Sequence, residues 1–345
     1  MDERNNWVDY AKAIGIGLVV YGHVTRGLVA SGVHVSHDLY QLIDSVIYSF
    51  HMPLFFFLSG LFFHSSFLKR GGTKLIGNKI DTIVYPYIVW SIFQGLVEVS
   101  FSKYTNGAVT CTDVFSLLWA PRAQFWFLYA LFIVFLVATF IYSWSSLLAS
   151  NTFIAASVFL YIFQSDLPSN LLLAFIANNF IFFSLGIFFS LLKIESLFSR
   201  SLVMISFAAL LFFSEYIFHI ILGLNYTNKG FPSLVVAIIG ISFVVSVSIW
   251  ASRKPKYWII LVGNSSMGIY LMHILIGSGV RVFLKKIAGI ESFTPNLIIG
   301  WIAGVFGSIV IINMIRKLNL KYIFSAPIFK ALQFYYEKPF SKYKK

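Results

Sequence analysis

Asp9, Lys12 and His23 are three ionisable side chains on one otherwise apolar stretch that runs from Asn6 through Gly15-Ile16-Gly17-Leu18-Val19-Val20-Tyr21-Gly22 to His23. If that stretch crosses a bilayer, each charged group costs at least ~2.5 kcal/mol and marks a functional site by default. An imidazole can take up or release a proton near neutral pH, an ammonium can hold an anion, and a carboxylate can neutralise that ammonium. On a helix, eleven residues turn ~1100°, so Lys12 and His23 point within about 20° of each other, and Asp9 lies about 60° from Lys12. One stripe therefore carries charge at one end and imidazole at the other. Gly15, Gly17 and Gly22 leave room for a closely packed helix or a thin ligand.

The elements that must position these groups follow from composition. The chain is 58% hydrophobic and 11% charged, against about 25% charged in a soluble domain, and reads as an all-α, polytopic integral membrane protein. Apolar runs near the ~20 residues needed to cross a bilayer fall at 8–28, 45–63, 80–101, 124–144, 152–165, 171–192, 201–222, 232–251, 258–279 and 297–315, giving about ten transmembrane helices. The fifth is short and ends in Gln164 and Asp166, which suits a tilted or re-entrant segment. No linker or internal repeat divides the runs. The expected organisation is a membrane-embedded domain over 1–315 and a basic cytoplasmic tail over 316–345.

Most of the 26 Lys and Arg then gather on one face. They are Arg4, Lys69, Arg70, Lys74, Lys79, Lys193, Arg200, Arg253, Lys254, Lys256 and the cluster that starts at Arg316. The positive-inside rule puts this face and both termini in the cytoplasm. The same pattern accounts for the net charge of +13 as topology signal and lipid-headgroup contact, with no basic module for nucleic acid. The single cysteine, Cys111, excludes an internal disulfide. His34-Val35-Ser36-His37 lacks a third fixed ligand, so no metal is expected. Asp2, Glu3 and Arg4 replace the basic cluster of a signal peptide, so the first span is read as retained.

Counting depth at ~1.5 Å per residue puts His23 roughly 24 Å beyond Trp7, in the outer third of a core about 30 Å thick. The same count places His51 at the outer start of the second span and Gln94 and Glu98 late in the third. Asn178 and Asn179 fall early in the sixth, Glu215 and His219 late in the seventh, and His273 late in the ninth. Polar groups from several helices at one depth imply a water-accessible or substrate-filled cavity that opens outward.

Four stretches resemble the integral-membrane acyltransferase 3 family, particularly its bacterial sugar and polysaccharide O-acetyltransferases. They are Asn6 to His23, Phe50-His51-Met52-Pro53-Leu54-Phe55-Phe56-Phe57-Leu58-Ser59-Gly60, Trp126-Phe127-Leu128-Tyr129-Ala130-Leu131-Phe132, and Gly263-Asn264-Ser265-Ser266-Met267-Gly268-Ile269-Tyr270-Leu271-Met272-His273. The resemblance covers all ten expected spans and the stretches come in the family's order. It implies a donor such as acetyl-CoA on the cytoplasmic side and transfer of its acyl group to a hydroxyl of a cell-surface glycan or its lipid-linked precursor. It also implies a multi-pass protein of the bacterial plasma membrane that works beside polysaccharide biosynthesis machinery. His23 corresponds to the family's histidine in helix one and Lys12 to its basic residue, where many members carry arginine. The chain departs from the family ahead of Tyr85-Pro86-Tyr87, where paired arginines give way to Lys79, Ile80, Asp81, Thr82 and Ile83.

Esterifying a hydroxyl needs a base for its proton, and an imidazole with a reference pKa of ~6.5 serves near pH 7. His23 is the expected base, although a membrane histidine can also be a plain helix–helix hydrogen-bonder. Glu98 or Glu215 would orient a histidine as triad carboxylates do, while Glu215 and His219, four residues apart, can instead satisfy each other. Lys12, Lys74 and Lys79 would hold coenzyme A phosphates, and topology alone also accounts for the loop lysines. His51, Trp126, Asn178 and His273 would line the acceptor site. A polysaccharide exporter and a structural subunit of a polysaccharide synthase are the competing readings.

Overall fold

The structure, a computed structural model, describes residues 6–102, 109–144, 151–329, 331 and 332. Asp2 and Glu3, which bear on the signal-peptide reading, and Arg4, Lys330, Lys338, Lys342, Lys344 and Lys345, which count toward the basic face, lie outside the described residues. In chain order the helices are α1 Asn6–Ala30, α2 His37–Leu61, α3 Phe63–Arg70, α4 Gly72–Lys79, α5 Tyr85–Ser100, α6 Cys111–Phe115, α7 Trp126–Trp144, α8 Asn151–Ile162, α9 Leu171–Leu192, α10 Glu195–Phe198, α11 Ser201–Tyr216, α12 Phe231–Ser252, α13 Tyr257–Asn264, α14 Ser266–Lys286, α15 Phe293–Ile302 and α16 Ser308–Lys317. Single π turns join α4 to α5, extend α11 and join α15 to α16, at Ile80–Val84, Ile217–Ile221 and Ala303–Gly307. Among the described residues there is no strand, and nine helices are long and apolar enough to cross a membrane.

Local chemistry sets several ends. The Asn170 side chain accepts from the N–H groups of Leu172 and Leu173 and caps α9, and Lys193 closes that helix in the left-handed conformation (φ 51°). Pro232 sits in the first turn of α12, where the missing N–H costs nothing, and Pro86 follows directly on the π turn that leads into α5. The expected fifth span is α8, whose 12 residues reach only ~18 Å.

Two spans begin elsewhere than the apolar pattern indicates. α2 starts at His37, because a polar, exposed first turn continues the helix beyond the apolar run. His51 is therefore in the body of α2 rather than at its start, and Asp44 is helical. The ninth span breaks at Ser265, so α13 ends there and α14 runs on to Lys286. His273 becomes the eighth residue of the long helix, not a late one.

The chain forms two compact units, one of Met1–Phe62 with Ala149–Asn313 and one of Phe63–Leu148 with Met314–Lys345. In the first, α1 is packed by α2, α12, α13, α14 and α15, and α2 lies along α9. Backbones meet where side chains are absent. A Cβ on Gly60 would stand 2.0 Å from the Phe183 carbonyl oxygen, one on Gly186 2.1 Å from that of Phe57, and one on Gly263 2.0 Å from that of Asp9. Pro53 lies inside α2 and cannot donate to the Ser49 carbonyl four residues back.

In the second unit, the chain after α16 lies along α4 and α5. Tyr85 Oη–H donates to the Tyr322 carbonyl (2.7 Å), Trp90 Nε1–H to that of Ile323 (2.9 Å), and the Phe329 N–H to Asp81 Oδ1 (2.9 Å). Phe324 stacks on Trp90, and the Phe329 ring fills the space a Gly77 side chain would take. The first part of the expected tail is thus held against helices.

Gly60→Ala should lower stability by about 2 kcal/mol or more, since two helix backbones must separate to admit the methyl group. Gly279→Ala, which meets nothing within 4 Å, should be neutral or stabilising by up to ~1 kcal/mol. Thermal unfolding of both variants in detergent checks the contrast; equal midpoints would mean that the α2–α9 contact does not limit stability.

Candidate active site

Three histidines of the first unit come together from three helices: His23 of α1, His51 of α2 and His273 of α14. The His23 and His273 ring centroids are 5.1 Å apart, with ring planes at 58°. His273 is 1% exposed, and its Nδ1 lies 2.8 Å from the Tyr270 carbonyl and 3.1 Å from that of Ile269. His51 is equally buried, with Nδ1 2.7 Å from the Ile47 carbonyl and its ring edge-to-face with Tyr48 at 4.3 Å.

A carbonyl only accepts, so Nδ1 carries the proton in both rings, and Nε2 holds the lone pair when the ring is neutral. The Nε2 of His273 is sealed from solvent without a hydrogen bond. His23 differs from both. It is half-buried, and among the described residues neither of its ring nitrogens makes a hydrogen bond. The cluster therefore offers one accessible imidazole beside two whose tautomer the backbone fixes, which is the arrangement a proton acceptor needs.

One turn beyond His23 is a feature that the sequence reading passed over. Arg26 Nε and Nη2 donate to the two oxygens of Asp44 on α2, at 2.9 and 2.8 Å, and Nη2 also donates to Tyr226 Oη at 3.1 Å. The guanidinium lies 3.5 Å over the Tyr48 ring. Tyr48 occupies the room left by Gly22, where a Cβ would come within 2.9 Å of the ring. The signal was present in the spacing. Arg26 is three residues after His23, and Asp44 and Tyr48 are seven and three residues before His51, so each pair shares a helix face.

The remaining expected residues fall elsewhere. Lys12 is 3.7 Å from Asp9, a carboxylate that is itself buried. The Asn178 amide nitrogen donates to the Ala174 carbonyl on its own helix at 2.8 Å. Glu215 and His219 face each other at 2.9 Å, and Ser49 Oγ–H donates to Glu215 at 2.8 Å. His219 Nδ1–H donates to the Leu224 carbonyl at 2.9 Å, which ties this group to the loop before α12.

The other four belong to the second unit. Glu98 is engaged by Arg122 and, at 2.8 Å, by the Gln94 amide, which is in turn paired with buried Gln124. Lys79 Nζ lies 4.1 Å over the Phe135 ring, Lys74 is exposed, and Trp126 opens α7 half-buried. Among the described residues no group of His, Cys, Asp and Glu could hold a metal ion.

A family model described as an acyltransferase domain matches residues 5–315. The chain is 29% identical over 139 residues to the nodulation protein NolL of Mesorhizobium japonicum, covering 39% of this chain and 35% of that one. It is 26% identical over 134 residues to the NolL protein of Sinorhizobium fredii, covering 36% of each. The aligned stretch spans about a third of the length of these curated relatives. No solved structure matches the chain.

His219→Ala strands a buried carboxylate and should cost about 3–5 kcal/mol, whereas the Glu215→Leu/His219→Leu double variant should recover at least half of that loss. Thermal midpoints of the three proteins decide the matter. A double variant no more stable than His219→Ala would show that the two groups do not act as a pair.

Proposed function

The chain belongs to the acyltransferase family, and we propose that it is a multi-pass O-acyltransferase of the bacterial inner membrane, with both termini cytoplasmic. It moves an acetyl or other short acyl group from acyl-CoA to a hydroxyl of a cell-surface polysaccharide or its lipid-linked precursor. The observation that carries this reading is His23, an accessible imidazole with free ring nitrogens inside a helix bundle.

In the proposed reaction His23 takes the proton of the acceptor hydroxyl as that oxygen attacks the thioester carbonyl. The carbon–sulfur bond then breaks, and the proton passes from His23 to the departing thiolate, so that the ester, free coenzyme A and the starting imidazole are recovered. His51 and His273, each with its Nδ1–H fixed on the backbone, keep their ring orientations while the acceptor sits beside them. Lys12, eleven residues or ~16 Å before His23 along α1, holds the phosphate end of the donor. The pantetheine arm runs along α1 from Lys12 toward His23, past the positions of Gly15, Gly17 and Gly22, whose own space is taken by Phe55, Trp301 and Tyr48. Asn178 is proposed to contact the acceptor. Glu98, with both oxygens engaged by Arg122 and Gln94, enters as the anchor of Arg122 rather than as the orienting partner of His23.

Membranes carrying the wild-type chain, given labelled acetyl-CoA, should transfer label to surface glycan. His23→Ala should lower that transfer by a factor of about 10² or more, with protein level unchanged on immunoblot. Equal labelling by the two proteins would sink the assignment.

A further inference from the structure

We propose that Arg26, Asp44, Tyr48 and Tyr226 form the subsite that holds the acceptor, and that they select a neutral sugar ring with neighbouring hydroxyls over a uronate or phosphorylated one. The inference rests on the acyltransferase reading above and adds to it the class of acceptor.

Placement comes first. Arg26 lies on the same helix as His23 and ~4.5 Å further along it, so a ring whose hydroxyl reaches His23 has its adjacent substituents at the level of Arg26. About a third of the Arg26 side chain remains exposed even though it is ion-paired with Asp44, whose own side chain is 11% exposed. An ion pair on two membrane helices that is still partly open faces water rather than lipid.

The hydrogen-bond inventory comes second. Tyr226 Oη accepts from Arg26, which leaves the phenol hydrogen free to donate. Tyr48 Oη makes no hydrogen bond among the described residues and is not sealed from solvent, and the Tyr226 side chain is half-buried. Together with His23 this gives three unfilled polar groups within about one helical turn, in front of a pair whose charges cancel. Neighbouring hydroxyls of a sugar ring match that array. A carboxylate or phosphate does not, because the Arg26 charge is already met bidentately by Asp44.

The third observation separates a subsite from a plain tie between α1 and α2. A tie needs only Arg26 and Asp44, yet the loop bearing Tyr226 is also fastened on purpose-built contacts. Ser45 Oγ accepts the Tyr226 N–H at 2.8 Å, His219 holds the Leu224 carbonyl, and the Asn225 side chain accepts the Thr227 N–H at 2.9 Å. Tyr226 is thereby presented in one position, as recognition of a rigid ring requires.

The test uses the full chain in lipid nanodiscs with labelled acetyl-CoA and the host's surface glycan stripped of esters by mild base. Tyr226→Phe and Tyr48→Phe should each raise the KM for glycan about five- to tenfold, leave the KM for acetyl-CoA unchanged, and move kcat by no more than about twofold. A methyl hexoside should compete with glycan, and a methyl hexuronide should not. The subsite is overturned if glycan KM stays within twofold of wild type in both variants, if donor and acceptor KM rise together, or if the hexuronide competes as well as the hexoside. Should Tyr48→Phe lower the thermal midpoint, Tyr226→Phe decides alone, because the backbone bonds of its loop do not involve the phenol oxygen. A wild-type chain that transfers no label would instead refute the acyltransferase reading itself.

Discussion

Hydrocarbon offers no hydrogen bonds, so polar groups on a membrane-spanning helix must be satisfied by protein, and the arrangement around α1 follows from that constraint. The Gly17 carbonyl receives Trp301 Nε1–H from α15 at 2.8 Å. The Gly27 carbonyl receives Arg281 from α14 at 2.5 Å, in the space the glycine leaves open. Thr25 returns its hydroxyl to the Tyr21 carbonyl, and Arg26 is met by Asp44 and Tyr226. Against these neighbours the imidazole of His23 stands out, because among the described residues neither of its nitrogens makes a hydrogen bond. A helix so thoroughly bonded along the same turns does not leave a histidine open for want of partners.

The three histidines are alike in the sequence and divided in the structure. Two spend Nδ1 on backbone carbonyls of their own helices, a use that fixes a ring without involving anything outside the helix. The third spends nothing. Since His23 and His273 stand ring to ring, the fixed ring also limits how His23 can turn. Glu215 is committed to Ser49 and His219.

Helix identity was legible because apolar runs of membrane length have few alternatives, and His23, His51 and His273 were legible because ionisable groups in such runs are expensive. The depth count erred where it assumed that a helix begins where apolarity begins. α2 starts in polar sequence at His37, and the ninth span breaks at Ser265, so His51 lies further into its helix than counted and His273 nearer the start of its own. Arg26 and Asp44 were passed over for the same reason: placed at the edge of an apolar run, each reads as a loop charge, whereas in the longer helices they are facing residues. The association of Lys74, Lys79, Trp126 and Glu98 with a separate compact unit could not be read from spacing at all, since chain order interleaves the two units.

α2 sets the register of everything that surrounds His23. Asp44, Tyr48 and His51 follow at intervals of four and three residues and form one stripe, which meets α1. Ser45 and Ser49 form a second stripe about 100° away, and they hold the Tyr226 loop and Glu215 respectively. The chain of contacts thus runs from Ser49 through Glu215, His219 and Leu224 to Tyr226, then through Arg26 back to Asp44, and so begins and ends on one helix. A slip of α2 by one residue would turn both stripes by about 100° and break both ends of this ring at once. The glycine contact between Gly60 and Gly186 opposes such a slip, because no other position on α2 brought to that point would let the backbones meet at the same distance. Packing far from His23 therefore fixes which hydroxyl groups stand beside it.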